Sequence, residues 1–186
     1  MAAAAAGEEA GVFGRSFPAV SQDRPWWLAV LLRGPRIYSS PLARVVITLV
    51  IAAGAVCVVG SGVIHLYLWG KQFGYRSIPT IGPLFLIQGI ACILIGLLTV
   101  ITRRFAAVLV AAGTMIASFC ALIIAVEWGL FGWQDSWSAA YALTALYVEI
   151  AGAVLLLAAA VALAWSPRSD AARPGYQATH RHTATT

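Results

Sequence analysis

Four apolar stretches dominate this chain: Val45–Trp69, Ile81–Ile101, Phe105–Val126 and Tyr141–Trp165. A run of about 20 apolar residues, rising ~1.5 Å per residue as a helix, crosses a hydrocarbon layer ~30 Å thick. A water-soluble domain of this size has no core large enough to hide four such helices. Hydrophobic residues make up 61% of the sequence and charged residues only 10%, which points away from a soluble fold. The connections between runs are short, so neighbouring helices must alternate in direction. The sequence thus predicts an all-α polytopic membrane protein, an antiparallel bundle of four transmembrane helices with an N-terminal interfacial segment. Its divisions are an N-terminal tail over 1–43, a transmembrane domain over 44–166 (helices 45–69, 81–101, 105–126 and 141–165) and a disordered tail over 167–186.

The net charge of +5 is a matter of position, not of nucleic-acid binding. Arg15, Arg24, Arg33, Arg36 and Arg44 precede the first run, Arg103 and Arg104 join the second to the third, and Arg168, Arg173 and Arg181 follow the fourth. Only Lys71 and Arg76 lie between the first and second runs, and no Lys or Arg lies between the third and fourth. Basic residues collect on the cytoplasmic side of membrane proteins. Both termini are therefore expected in the cytoplasm of a plasma-membrane protein, with loops 70–80 and 127–140 outside and anionic lipid against the inner face. Arginine outnumbers lysine eleven to one in an alanine-rich chain, a bias typical of GC-rich bacterial genomes such as those of actinomycetes.

The segment over 25–32, Pro-Trp-Trp-Leu-Ala-Val-Leu-Leu, is too short to span and is flanked by Arg24 and Arg33. Tryptophan settles at headgroup level, and arginine reaches lipid phosphates from there. An interfacial segment is predicted. The alanine-rich start lacks the apolar stretch of a secretory signal, so no cleavage is expected. Aromatic residues mark both boundaries of the spans. Small residues mark the expected seams. These are Gly82, Gly89 and Gly96 on the second helix, and Gly113, Ala117, Ala121 and Ala125 on the third. The fourth carries Ala145, Glu149 and Ala153, and the first carries Cys57, Ser61 and His65.

Three polar residues interrupt the apolar runs: His65, Gln88 and Glu149. At ~1.5 Å per residue they lie about 6, 10 and 12 Å from the outer ends of their helices, all in one half of the membrane. They are predicted to share an outward-facing polar pocket, with Arg76 and Glu127 at its mouth. A charged, unpaired carboxylate at this depth costs at least ~2–3 kcal/mol, so Glu149 is expected either protonated or paired with His65 or Arg76. Interhelical hydrogen bonds that only lock the bundle are the plainer role for the same residues.

Other chemistries find little support. A bis-histidine haem needs two intramembrane imidazoles, and His65 stands alone in the spans. Zinc wants three or four ligands, and His180 and His182 lie on the polar tail beside Arg181. No phosphate-binding loop, nucleophile elbow or H-E-x-x-H sequence is present, so an enzyme is disfavoured. No metal is predicted and no cofactor is indicated. Cys57, Cys92 and Cys120 are too scattered for a redox pair and read as buried small apolar residues.

The stretch His65-Leu66-Tyr67-Leu68-Trp69, followed by Gly74-Tyr75-Arg76-Ser77-Ile78-Pro79-Thr80-Ile81-Gly82-Pro83-Leu84-Phe85, resembles a pattern in actinobacterial four-helix integral membrane proteins of uncharacterised activity. The resemblance covers roughly a tenth of the chain and implies the fold, not an activity. Two functions are expected from the residues. The favoured one is a small accessory or scaffold subunit, working with copies of itself or with other membrane subunits. The alternative is a pocket for a small molecule, lipid headgroup or proton; a membrane enzyme or redox partner is third.

Overall fold

The computed structural model describes residues 26–70 and 74–165. The expectations for the two terminal tails, for Lys71 and for His180 and His182 lie outside the described residues. Within them the chain is all-α: α1 (Trp26–Leu31), α2 (Pro41–Trp69), α3 (Ile81–Thr102), α4 (Phe105–Glu127) and α5 (Ala142–Trp165), with single 3-10 turns at Pro35–Ile37 and Tyr75–Ser77. The last four helices are long and apolar enough to cross a membrane. In the most apolar window of each, at most 33% of the residues are buried inside the molecule. The remaining apolar surface has lipid as its natural solvent, and the chain is a multi-pass integral membrane protein.

Helix ends follow local chemistry. α2 begins four residues before the apolar run, because Pro41 occupies the first turn and the Ser40 hydroxyl accepts the Ala43 N–H at 3.4 Å. α3 ends at Arg103, which adopts a left-handed conformation (φ 50°) and turns the chain directly into α4. The connection from α4 to α5 is pinned by a tight turn in which Leu130 and Trp133 exchange backbone hydrogen bonds of 2.7 and 3.0 Å. Its central residues Phe131 and Gly132 both have positive φ (51° and 78°), the geometry of a type I′ turn.

In cross-section α2 and α5 pack together, α3 lies against α2, and α4 lies against α5. α3 and α4 meet only sparsely. The α2–α3 seam is the glycine row foreseen on the second span. A Cβ on Gly89 would sit 2.6 Å from the Leu66 side chain, one on Gly96 2.6 Å from Val59, and one on Gly62 2.8 Å from the Gly89 carbonyl oxygen. The α2–α5 seam has Gly54 against Leu156, and Gly152 packs against Cys57 and Met115. The α4 stripe is corrected at three of its four positions; the fourth, Ala125, is buried. Gly113, Ala117 and Ala121 are exposed, and nothing lies within 4 Å of a Cβ built on Gly113. α4 instead packs through Val108, Ala111, Ala112 and Met115, a face rotated away from its small-residue row. Cys92 is buried as foreseen, Cys57 is half-buried, and Cys120 faces outward.

The two ends of the bundle differ in kind. At the arginine end, the stretch after α1 binds helix termini that otherwise lack partners. The Arg33 guanidinium donates to the Ala164 carbonyl (3.0 Å), the Tyr38 hydroxyl donates to the Ala162 carbonyl (2.5 Å), and the Phe105 N–H donates to the Arg33 carbonyl (2.7 Å). The aromatic end is built from Leu68, Tyr75 and Ile81, with Phe85, Leu130 and Trp133 packed around them.

Candidate functional site

Alongside the sparse contact of α3 with α4 lies a cavity of about 310 Å³, walled by all four spans and both loops of the aromatic end. Glu149 comes from α5, where Ala145 and Gly152 on the same face keep it turned inward and buried, at 1% exposure. Its Oε1 accepts two hydroxyl hydrogen bonds, from Ser118 on α4 at 2.6 Å and from Ser61 on α2 at 3.3 Å. Its Oε2 has no hydrogen-bond partner among the described residues. A buried polar atom left without a partner in this way is costly and calls for an explanation.

His65 lies one turn above Ser61. Its Nδ1 is 2.8 Å from the Ser61 carbonyl and 3.5 Å from the Ser61 hydroxyl. A carbonyl can only accept, so Nδ1 carries the hydrogen. Donation then runs from His65 to Ser61 and from Ser61 to Glu149. The His65 ring leans on Phe85, with centroids 5.1 Å apart. Gln88, on the α3 wall, points its amide nitrogen at the Cys92 sulfur 3.4 Å away. Thus His65, Gln88 and Glu149 line one cavity.

Arg76 and Glu127 stand elsewhere. Arg76 is exposed in the turn before α3 and is not part of the lining. Glu127 is exposed at the end of α4, where its carboxylate accepts the Trp137 indole N–H at 3.0 Å. The partners of Glu149 are therefore two serines, not the expected His65 or Arg76. Ser118 carried no signal in the sequence, because a single serine in an apolar helix is ordinary and its alignment with α5 depends on how the helices pack. Ser61 was visible as one step of a small-residue stripe.

The mouth holds further residues that the sequence left among boundary aromatics. Tyr75 stacks on Phe85 (5.0 Å, 24°) and meets Trp133 edge-on (5.5 Å, 70°). Asp135 lines the same cavity beside it. Burial, reinforced by the Asp135 carboxylate, pushes the Tyr75 phenol up to about 12. Burial also raises the Asp135 carboxyl, against the opposing pull of the Ser136 N–H and the Tyr75 hydroxyl. The loop carrying Asp135 is tied to α4 by Asp135 N–H to Ala125 O (3.0 Å) and by the Gln134 amide to Val126 O (3.1 Å).

The lining holds two carboxyl groups, Glu149 and Asp135, and several aromatic side chains, with no lysine or arginine among the described residues. Among the described residues no three His, Cys, Asp or Glu side chains converge as a metal site requires. The arrangement is suited to holding an apolar body by its walls and one hydrogen-bond donor at Glu149.

Fold and cavity together define a four-helix integral membrane bundle with a polar pocket at one end. Comparison with known proteins gives no match: no family model, no curated protein and no solved structure matches the chain.

Proposed function

We propose that the protein binds a small, largely apolar organic cation, with a primary amine as its simplest form, in the cavity beneath the aromatic end. The observation that carries this reading is the unpartnered Oε2 of Glu149 in a cavity of about 310 Å³, a volume at the lower end of ligand pockets. An ammonium group satisfies that acceptor by a charge-assisted hydrogen bond, and Tyr75, Phe85 and Trp133 offer apolar wall to the rest of the molecule. An accessory subunit has no need of such a cavity, and this favours the pocket over the scaffold.

The test uses 2-phenylethylamine and its neutral counterpart 2-phenylethanol, titrated calorimetrically into the detergent-solubilised protein. The amine should bind more tightly than the alcohol. Glu149→Gln should weaken the amine at least tenfold, as expected for losing a hydrogen bond to a charged group worth about 1.5–3 kcal/mol. The amide still accepts the two serine hydroxyls, so the melting temperature should move by less than about 4 °C, equivalent to ~1 kcal/mol. If neither compound binds, or both bind equally to wild type and variant, the reading fails and the accessory role becomes the better one.

The arginine end is assigned to the cytoplasm, which makes the pocket open outward. Five arginines at that end against the one of Arg76 at the other support this orientation. Alkaline phosphatase fused after Trp133 should be active, and fused after Arg104 inactive. The reverse pattern would invert the protein.

A further inference from the structure

A second cavity, of about 890 Å³, opens at the arginine end. Arg33 and Arg36 enter it from the stretch after α1, Arg44 from the first turns of α2, and Arg103 and Arg104 from the turn between α3 and α4. Three separate segments thus contribute five arginines to the lining of one concavity. Its lining contains no acidic residue. Among the described residues the acids are Glu127, Asp135 and Glu149, all at or near the opposite end of the bundle. Among the described residues the five arginines have no acidic counter-charge there.

Backbone carbonyls hold four of these side chains in place. Arg33 donates to Ala164 (3.0 Å), Arg104 to Leu32 (2.9 Å), Arg103 through Nε to Val100 (3.0 Å), and Arg44 to Ser39 (3.4 Å). A guanidinium carries five N–H donors, so each retains others for a ligand. Arginine meets phosphate with two parallel hydrogen bonds and is less strongly hydrated than lysine, which lowers the cost of drying it. The remaining wall includes Ala29, Leu32 and Ile101, so the concavity combines charged with apolar side chains, as a lipid combines a headgroup with acyl chains. Basic pockets among transmembrane helices are a recognised means of holding anionic headgroups.

From this arrangement we infer that the arginine cavity is a specific binding site for a phosphate group, carried by an anionic membrane lipid or by a soluble phosphate. This goes beyond a general attraction of basic residues to an anionic leaflet. It requires one saturable site, and it is independent of the amine pocket.

The test measures phospholipid bound to the full-length protein by native mass spectrometry, adding phosphatidylglycerol or phosphatidylcholine in turn. One molecule of phosphatidylglycerol should bind saturably and at least tenfold more tightly than phosphatidylcholine. Arg36→Gln with Arg44→Gln should weaken it about 25-fold, roughly fivefold for each charge lost near a membrane surface. Both side chains are exposed, and the Arg36→Lys/Arg44→Lys pair, which keeps the charges, guards against a folding artefact by weakening the lipid less. Arg76→Gln at the far end should have no effect. Inorganic phosphate separates the sources: failure to displace the lipid at millimolar concentration supports a headgroup site, and displacement supports a soluble phosphate in the same place. Equal binding of both lipids, or unchanged phosphatidylglycerol binding in Arg36→Gln/Arg44→Gln, overturns the site.

Discussion

The two flanks of α3 contrast sharply. Toward α2, Gly89 and Gly96 let side chains of the neighbouring helix press against the α3 backbone. Toward α4, a link is provided near the arginine end by the Thr99 hydroxyl, which is 2.7 Å from its own-helix Ile95 carbonyl and 3.3 Å from the Ala107 carbonyl of α4. The cavity lies further toward the aromatic end, where Leu84, Phe85 and Gln88 of α3 and Ser118, Ala121 and Leu122 of α4 line it. Small residues therefore have two uses in this bundle: on one flank they admit a neighbouring helix, and on the other they leave space. Ala117, Ala121 and Ala125 wall the pocket because their side chains are short.

The largest effect should come from closing the distinction on the tight flank. Gly89→Leu places a bulky side chain where even a Cβ meets Leu66 at 2.6 Å, with the Gly62 carbonyl oxygen at 3.1 Å behind it. It should cost about 3 kcal/mol or more and lower the melting temperature in detergent by roughly 6 °C or more. A variant that melts like wild type would dissolve the seam.

On the loose flank the same kind of enlargement should spare the fold and remove binding. Ala121→Leu projects into the cavity and should weaken 2-phenylethylamine at least tenfold by occupying its space, with little loss of thermal stability. Retained binding would mean that the amine sits elsewhere. Smaller still is Gly113→Ala, which meets nothing within 4 Å. It should be neutral or stabilise by up to ~1 kcal/mol, as expected for removing an exposed glycine from a helix. Clear destabilisation would show that another chain covers this face.

The last effect is spectroscopic and belongs to the pocket mouth. Tyr75 is held protonated to about 12, against an ordinary value near 10. Because the folded value is raised, its contribution to stability is full below pH ~10 and is lost as pH climbs through 12. Tyrosinate absorbance should show a step near 12 that disappears in Tyr75→Phe. Persistence of that step would separate Tyr75 from Asp135.

The spans were legible because apolar length is a one-dimensional property that any bilayer reads the same way. The α3 seam was legible because the repeat that contains Gly89 and Gly96 needs no knowledge of the partner helix; Gly82, its first member, packs instead on the Arg76 backbone of the preceding turn. The α4 row failed at Gly113, Ala117 and Ala121 for the opposite reason: a small-residue stripe says that a face is narrow, not what stands opposite it. His65, Gln88 and Glu149 were placed at similar depth by counting residues, and they do share a cavity. Ser118 and Asp135 could not be found that way. Their relevance arises from helix rotation and from the fold of the loop before α5, neither of which has a periodic trace in the sequence.

The hydrogen bonds of Arg33 and Tyr38 have a consequence for biogenesis. Their acceptors, the carbonyls of Ala164 and Ala162, lie 131 and 124 residues further along the chain. A ribosome delivers the donors long before the acceptors exist, so the stretch after α1 must wait at the membrane surface while four helices are threaded. Closure of the bundle is then a late event that joins the start of the described chain to its finish. A translation product stopped before α5 lacks the groups that hold its own beginning, and that leaves incomplete insertion open to recognition by proteases.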